Sequence, residues 1–151
     1  MGCDIHLFAE KKENGVWISI DKYTPNPEFG KYHDEKEFVI DHADRIYTKG
    51  RNYNLFCALA GVRGFHFYGE PSIISEPKGL PEDCCTEIKT ESDNYGADGH
   101  SHSWNTLKEL EDFDWSGYGE TVVEFKKEVF PKLKEASADP ENVRIVYFFD
   151  N

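Results

Sequence analysis

The chain has one methionine in 151 residues and no apolar run near the ~18 residues that a membrane span needs. Its N-terminus lacks the charged-then-apolar pattern of a secretory signal. Cys-x-x-Cys spacing is also missing. The four cysteines are Cys3, Cys57, Cys84 and Cys85, which encode neither a zinc ribbon nor a thioredoxin-type site. Adjacent cysteines such as Cys84 and Cys85 rarely bond to each other because the ring is strained, so the expectation is reduced thiols in a reducing cell. Gly2 does not open a myristoylation signal, since His6 stands where Ser or Thr is required. No internal repeat and no low-complexity tract is present. A soluble, cytoplasmic protein with no membrane partner is expected.

Positive charge is the other shortage. Seventeen Lys and Arg face 29 Asp and Glu, for a net charge of −12. Such a field repels phosphate polymers, which argues against long duplex DNA or RNA as a partner. A small anionic ligand held by a few local cations is compatible with it, because salt screens distant charges beyond ~8 Å. Arg45, Lys49, Arg51 and Arg63 form the one modest basic cluster. Aromatic residues, by contrast, make up 15% of the chain, too many for a disordered polypeptide. The length fits a single domain over 1–151.

Residues 3–10 alternate and predict a strand, Asn14-Gly15 predicts a tight hairpin, and 16–20 read as the return strand. In that register Asp4, His6, Phe8 and Glu10 share one face, and Cys3, Ile5 and Leu7 the other. This separates Cys3 from His6 and disfavours a Cys–His nucleophile pair. Residues 21–50, with Pro25 and Pro27, read as a long irregular excursion. Helices are predicted over 51–62 with Asn52 as cap, over 84–95 with Asp83 as cap and Gly96 as stop, and from Thr106 to about Phe113. The last of these opens with a Thr106/Glu109 capping box. The strongest helical pattern runs from Glu120 to Ser137, with Pro131 expected to kink it. Val143 to Phe149 is apolar on both faces and predicts a central strand. Strands at the two ends and helices between them predict an α+β fold, with a mixed or antiparallel sheet of N- and C-terminal strands and the middle helices packed on it.

Two segments carry metal-ligand chemistry. Asp4 and His6 project from one face of the first strand. His100 and His102 point together if Asp98-Gly-His-Ser-His-Ser103 is extended. Asp4, His6, His100 and His102 are therefore the candidate ligands of a divalent metal, and Zn, Mn or Fe suits mixed imidazole and carboxylate donors. Such an ion supplies hydroxide by acidifying bound water. Asp98 and His100 are the candidate catalytic pair, with Asp98 as orienter or base. Without a metal, His6 or His100 is a general acid–base group oriented by Asp4 or Asp98. His42 and His66 are weaker ligand candidates, and His33 reads as solvated. Arg51, Asn52, Arg63, Lys78 and Trp104 are the candidate ligand-binding residues: cations and a helix N-terminus for phosphate, an indole for a base.

The segments Met1-Gly-Cys-Asp-Ile-His6, Arg51-Asn-Tyr53, Gly61-Val-Arg-Gly64, Ser75-Glu-Pro-Lys-Gly-Leu-Pro81, Asp98-Gly-His-Ser-His-Ser-Trp104 and Leu107-Lys-Glu-Leu110 resemble a family of small, mostly uncharacterised proteins of bacteriophages and prophages. The resemblance does not extend to the last helix and strand. Lys78 stands where the family pattern has Arg, replacing a bidentate fork by a point charge. The resemblance implies a viral protein acting in the infected host's cytoplasm, with interference in host defence as its setting, and it names no reaction. The leading expectation is a metal-dependent hydrolase or phosphodiesterase acting on a nucleotide-like ligand. The alternatives are a non-catalytic binder that sequesters a nucleotide signal or inhibits a host protein, and an accessory domain whose His and Asp residues merely satisfy one another.

Overall fold

Asn14 and Gly15 both adopt positive φ, 51° and 79°, the conformation a two-residue hairpin needs to match strand twist. They join β1 (Asp4–Glu13) to β2 (Val16–Ser19), with Lys11 opposite Ile18 and Glu13 opposite Val16, the register read from the sequence. A computed structural model describes residues 1–32, 35–65 and 67–151. The expectations for His33 and His66 lie outside these. Among its described residues, the excursion after β2 holds only a two-residue pair, β3 (Thr24–Pro25) with β4 (Phe38–Val39), and a 3-10 turn at His42–Asp44. The chain continues through α1 (Tyr53–Ala60), α2 (Thr86–Tyr95), β5 (Gly99–Thr106), α3 (Leu107–Asp112), α4 (Val123–Ala136) and β6 (Val143–Asp150). No described helix is long and apolar enough to cross a membrane.

The four long strands form one sheet in the order β2-β1-β6-β5, and each neighbouring pair is antiparallel. β6 is central, as its two apolar faces require. Its Val143, Ile145, Tyr147 and Phe149 join the larger core with Leu7, Ala9, α1, α3 and α4. Val146 and Phe148 join a smaller core on the opposite face with Phe8, Cys85 and Ile88 of α2. The fold is thus α+β, with N- and C-terminal strands in the sheet and the middle helices on it.

Local chemistry sets the helix ends. Asn52 Oδ1 accepts the Leu55 N–H at 3.1 Å, and Gly61 closes α1 in the left-handed region. The Thr106/Glu109 capping box forms as read. α2 differs. Asp83 does not cap it, because its carboxylate takes Arg144 at 2.9 Å, and the helix starts only at Thr86. β5 is the element that periodicity missed. Its GHSHSWNT sequence has no apolar alternation, and it is a strand because the apolar edge of β6 offers it a ladder.

A buried ion pair ties the sheet together. Glu10 and Arg144 lie opposite each other on β1 and β6, 0% and 3% exposed, with Nε 2.5 Å from Oε1. Glu10 Oε2 also accepts the Cys85 N–H at 2.9 Å, which fixes the start of α2. The Arg144 guanidinium lies 3.8 Å from the Trp17 ring and 5.4 Å from the Trp104 ring. Removing one partner strands the other charge in a dry interior. Arg144→Met is expected to lower unfolding free energy by about 3–5 kcal/mol, and Glu10→Gln added to it recovers much of that loss. Urea unfolding of the single and double variants measures both.

Candidate functional site

β1 and β5 flank β6, so the opening segment and the histidine segment do meet at one end of the sheet. The His6 and His102 rings stack on Phe148 from its two neighbouring strands, with centroids 4.9 and 5.0 Å away. His6 is further packed by the Tyr95 ring at 4.2 Å, and its Nε2 lies 3.1 Å from Asp150 Oδ1. Burial, and then the nearby His100, push the His102 imidazole below its usual range.

The expected metal cage is not assembled from these groups. Ser101 adopts φ 55° within a register shift between His100 and Ser103. That bulge puts His100 against Phe149 and His102 against Phe148, consecutive β6 residues that face opposite sides. The two imidazoles therefore do not point together. His100 is bonded to Ser101 and Asn151 instead. The Asp4 oxygens are taken by Arg51 at 2.6 and 3.2 Å, a pairing that holds the carboxyl below its usual range. Among the described residues, no group of three or more His, Cys, Asp or Glu is gathered to hold a metal ion. This donor set, with Asp4 committed to Arg51 and His6 to Asp150, does not fit a divalent cation. Asp98 is exposed in a 3-10 turn (Gly96–Asp98) and does not orient His100. Asp150 orients His6, a role hidden from the sequence because it depends on the β1–β6 register. His42 lies exposed in its own turn.

The candidate ligand-binding residues divide between two places. At the first, α1 grips the N-terminus. The Tyr53 hydroxyl accepts the Cys3 N–H at 3.1 Å, and Arg63 donates to the Met1 carbonyl at 2.8 Å. A Cβ on residue 2 would collide with the Arg51 guanidinium, so the glycine makes this approach possible. Arg51 and Asn52 line a shallow groove there with Tyr53 and Asn54, but Asn52 is spent on capping α1 and on the Thr121 carbonyl. At the second place, Lys78 lies 3.9 Å over the Trp104 ring and 2.9 Å from Glu109. The Gly79 and Lys78 N–H groups bond to His102 O and Ser103 Oγ, which covers part of the β5 edge. The opening segment is thus packed with Arg51, Tyr53 and Arg63, and the Lys78–Gly79 turn with β5 and Glu109, as two groups whose polar atoms bond to one another.

A concave site lies elsewhere. A cavity of about 430 Å³ opens between β2, the 43–46 segment and the end of α4, within the usual range for small-ligand pockets. Lys11, Lys22, Arg45 and Lys132 line it, against Asp44 and Glu135. Lys11 is shared with Glu13, Arg45 lies beside the Tyr23 hydroxyl, and Lys132 donates to the carbonyls of Arg45 and Ile46. Lys22 is exposed. Of these, only Arg45 stood in the basic cluster read from the sequence. Lys11 and Lys22 come from the base of the β1–β2 hairpin and Lys132 from the distant α4, so no sequence spacing links the three. Comparison with family models, with curated proteins and with solved structures finds no match to this chain.

Asp21 latches the wall of this cavity. Its carboxylate, 4% exposed, accepts the Ala9 N–H at 2.8 Å and the Ile46 N–H at 2.6 Å, closing the excursion at its base. Burial raises its pKa from 3.8 to about 6, against the pull of those N–H groups and of Arg45. The folded state therefore takes up a proton, as pH falls through about 6, that the unfolded state takes up only near its own lower value. The contribution of this group to stability is fully present below that lower value and is lost as pH rises through about 6. Asp21→Asn has no such titration. From pH 7 to pH 4 the wild type is expected to gain stability relative to this variant, by on the order of 2–3 kcal/mol. Urea midpoints of both proteins at several pH values check the sign.

Proposed function

We propose that this protein binds a small nucleotide-like anion without turning it over, as a sequestering protein in the phage setting that its motifs imply. The observation that carries this reading is the lysine-lined cavity beside Ile20 and Ile46, a local reversal of charge in a chain of net charge −12. Ammonium groups around a pocket of this size suit phosphate oxygens. Lys22 and Lys132 are the best placed, since Lys22 is exposed and Lys132 is otherwise spent only on neutral carbonyls. The Ile20 and Ile46 side of the cavity offers apolar contact to a base or sugar. The hydrolase reading has less support, because Asp4, His6 and His100 already have protein partners and Asp98 stands apart.

Equilibrium dialysis against nucleoside diphosphates, nucleoside triphosphates and cyclic dinucleotides tests the proposal. One of these classes is expected to bind and to be recovered unchanged. Lys22→Glu and Lys132→Glu are each expected to weaken binding by roughly tenfold, the effect of reversing one charge at a partly exposed site. His100→Ala is expected to leave binding intact. Turnover of the nucleotide that disappears in His100→Ala would restore the hydrolase reading, and failure to bind any of the three classes would remove the proposal.

A further inference from the structure

Residues 109–124 contain six acids, Glu109, Glu111, Asp112, Asp114, Glu120 and Glu124, and no lysine or arginine. Three of the acids are compensated from outside the stretch: Glu109 by Lys78, Asp112 by Lys108 and, at 3.7 Å, Glu111 by Lys134. Asp114, Glu120 and Glu124 are exposed and have no ion-pair partner among the described residues. An apolar groove of about 390 Å³ lies on the same stretch, between the segment after α3 and the start of α4. Its floor includes Phe113, Trp115, Val123 and Phe130. Phe113, Val123 and Phe130 are only half-buried although they touch or adjoin the larger core. Lys126 is the sole cation among the lining residues.

The two properties select a partner together. The apolar floor offers burial to one or two aliphatic or aromatic side chains. Of the uncompensated carboxylates, Asp114 lines the groove and Glu120 and Glu124 adjoin its lining residues Gly119 and Val123; they repel phosphates and acidic segments, and they attract lysine and arginine. We propose that this groove docks a basic segment of another protein, one in which an apolar anchor is flanked by arginines or lysines. The groove holds an anchor rather than a whole domain, so the occupant is a peptide-like segment. This proposal is independent of the anion cavity, which takes the opposite charge and uses none of these residues.

The probe is a short fluorescein-labelled peptide with arginines on both sides of a leucine pair, read by fluorescence anisotropy on the full chain. Two control peptides replace the leucines with glycine or the arginines with glutamate. The arginine–leucine peptide is expected to bind at least tenfold more tightly than either control. Reversing Asp114, Glu120 and Glu124 to lysine, all exposed, is expected to weaken it at least tenfold. Val123→Lys, which places a cation in the groove, is expected to do the same, while circular dichroism and thermal unfolding report whether each variant is folded. Equal binding of the leucine and glycine peptides would reduce the effect to non-specific charge attraction and overturn the proposal. So would unchanged affinity in the charge-reversed variant, which would put the peptide elsewhere, or no binding at all.

Discussion

Every strand of the main sheet contributes to one buried contact, the Glu10–Arg144 pair. Glu10 comes from β1 and Arg144 from β6, while Trp17 of β2 and Trp104 of β5 bring their rings to the guanidinium. The two charged residues face each other in the β1–β6 ladder. A slip of one residue would turn Arg144 towards the larger core, where Ile145 and Val143 now pack, and would separate it from Glu10. The pair therefore specifies register as well as contact. It also determines where α2 begins, because Glu10 holds the Cys85 N–H and Arg144 draws Asp83 away from the helix. A dry ion pair adds little net stability over a well-packed apolar pair, but breaking it is costly. Its effect here is to exclude alternative pairings of strands that are apolar on both faces.

What the sequence revealed follows from how local each signal is. The Asn14-Gly15 hairpin, the faces of β1, the Thr106 capping box and the central place of the last strand all depend on residues within a few positions of one another, and all are found. β5 escaped because a polar strand is made by its neighbour rather than by its own pattern. The Asp83 cap failed because a long-range partner, Arg144, outbid a helix N–H. The same distinction applies to the candidate site. Residue type marked His6 and the histidine segment as one candidate site, and β1 and β5 do bring them to one end of the sheet, but the sequence did not place them there. It could not place the Ser101 bulge, which sends His100 and His102 to opposite sides, nor Asp150, which reaches His6 from the far end of the chain.

Residue type alone pointed towards a metal, and geometry points away from that reading. Asp4, His6 and His100 are good ligands in isolation, but a ligand is available only if nothing else in the fold has claimed it. Arg51 claims Asp4 in a two-point contact, Asp150 claims His6, and Asn151 claims His100. The motif glycine serves the same end of the molecule, because Gly2 leaves room for Arg51 to lie against the N-terminal segment. The opening and histidine segments are thus held by packing and by partners elsewhere in the fold, which moves the search for a ligand to the concave surfaces built by other residues.

Those surfaces lie along α4, and the helix explains why they differ in sign. Glu124 stands in its first turn and Lys134 in its last, the arrangement that the helix macrodipole favours. The acidic groove borders the start of the helix and the lysine-lined cavity borders its end. Charge segregation of this kind would arise from helix stability alone, so charge by itself says nothing about ligands. The two concavities add the discriminating feature. One pairs carboxylates with half-buried aromatic rings, and the other pairs ammonium groups with Ile20 and Ile46. Each couples a charge to an apolar wall of ligand size, a combination that the dipole does not require.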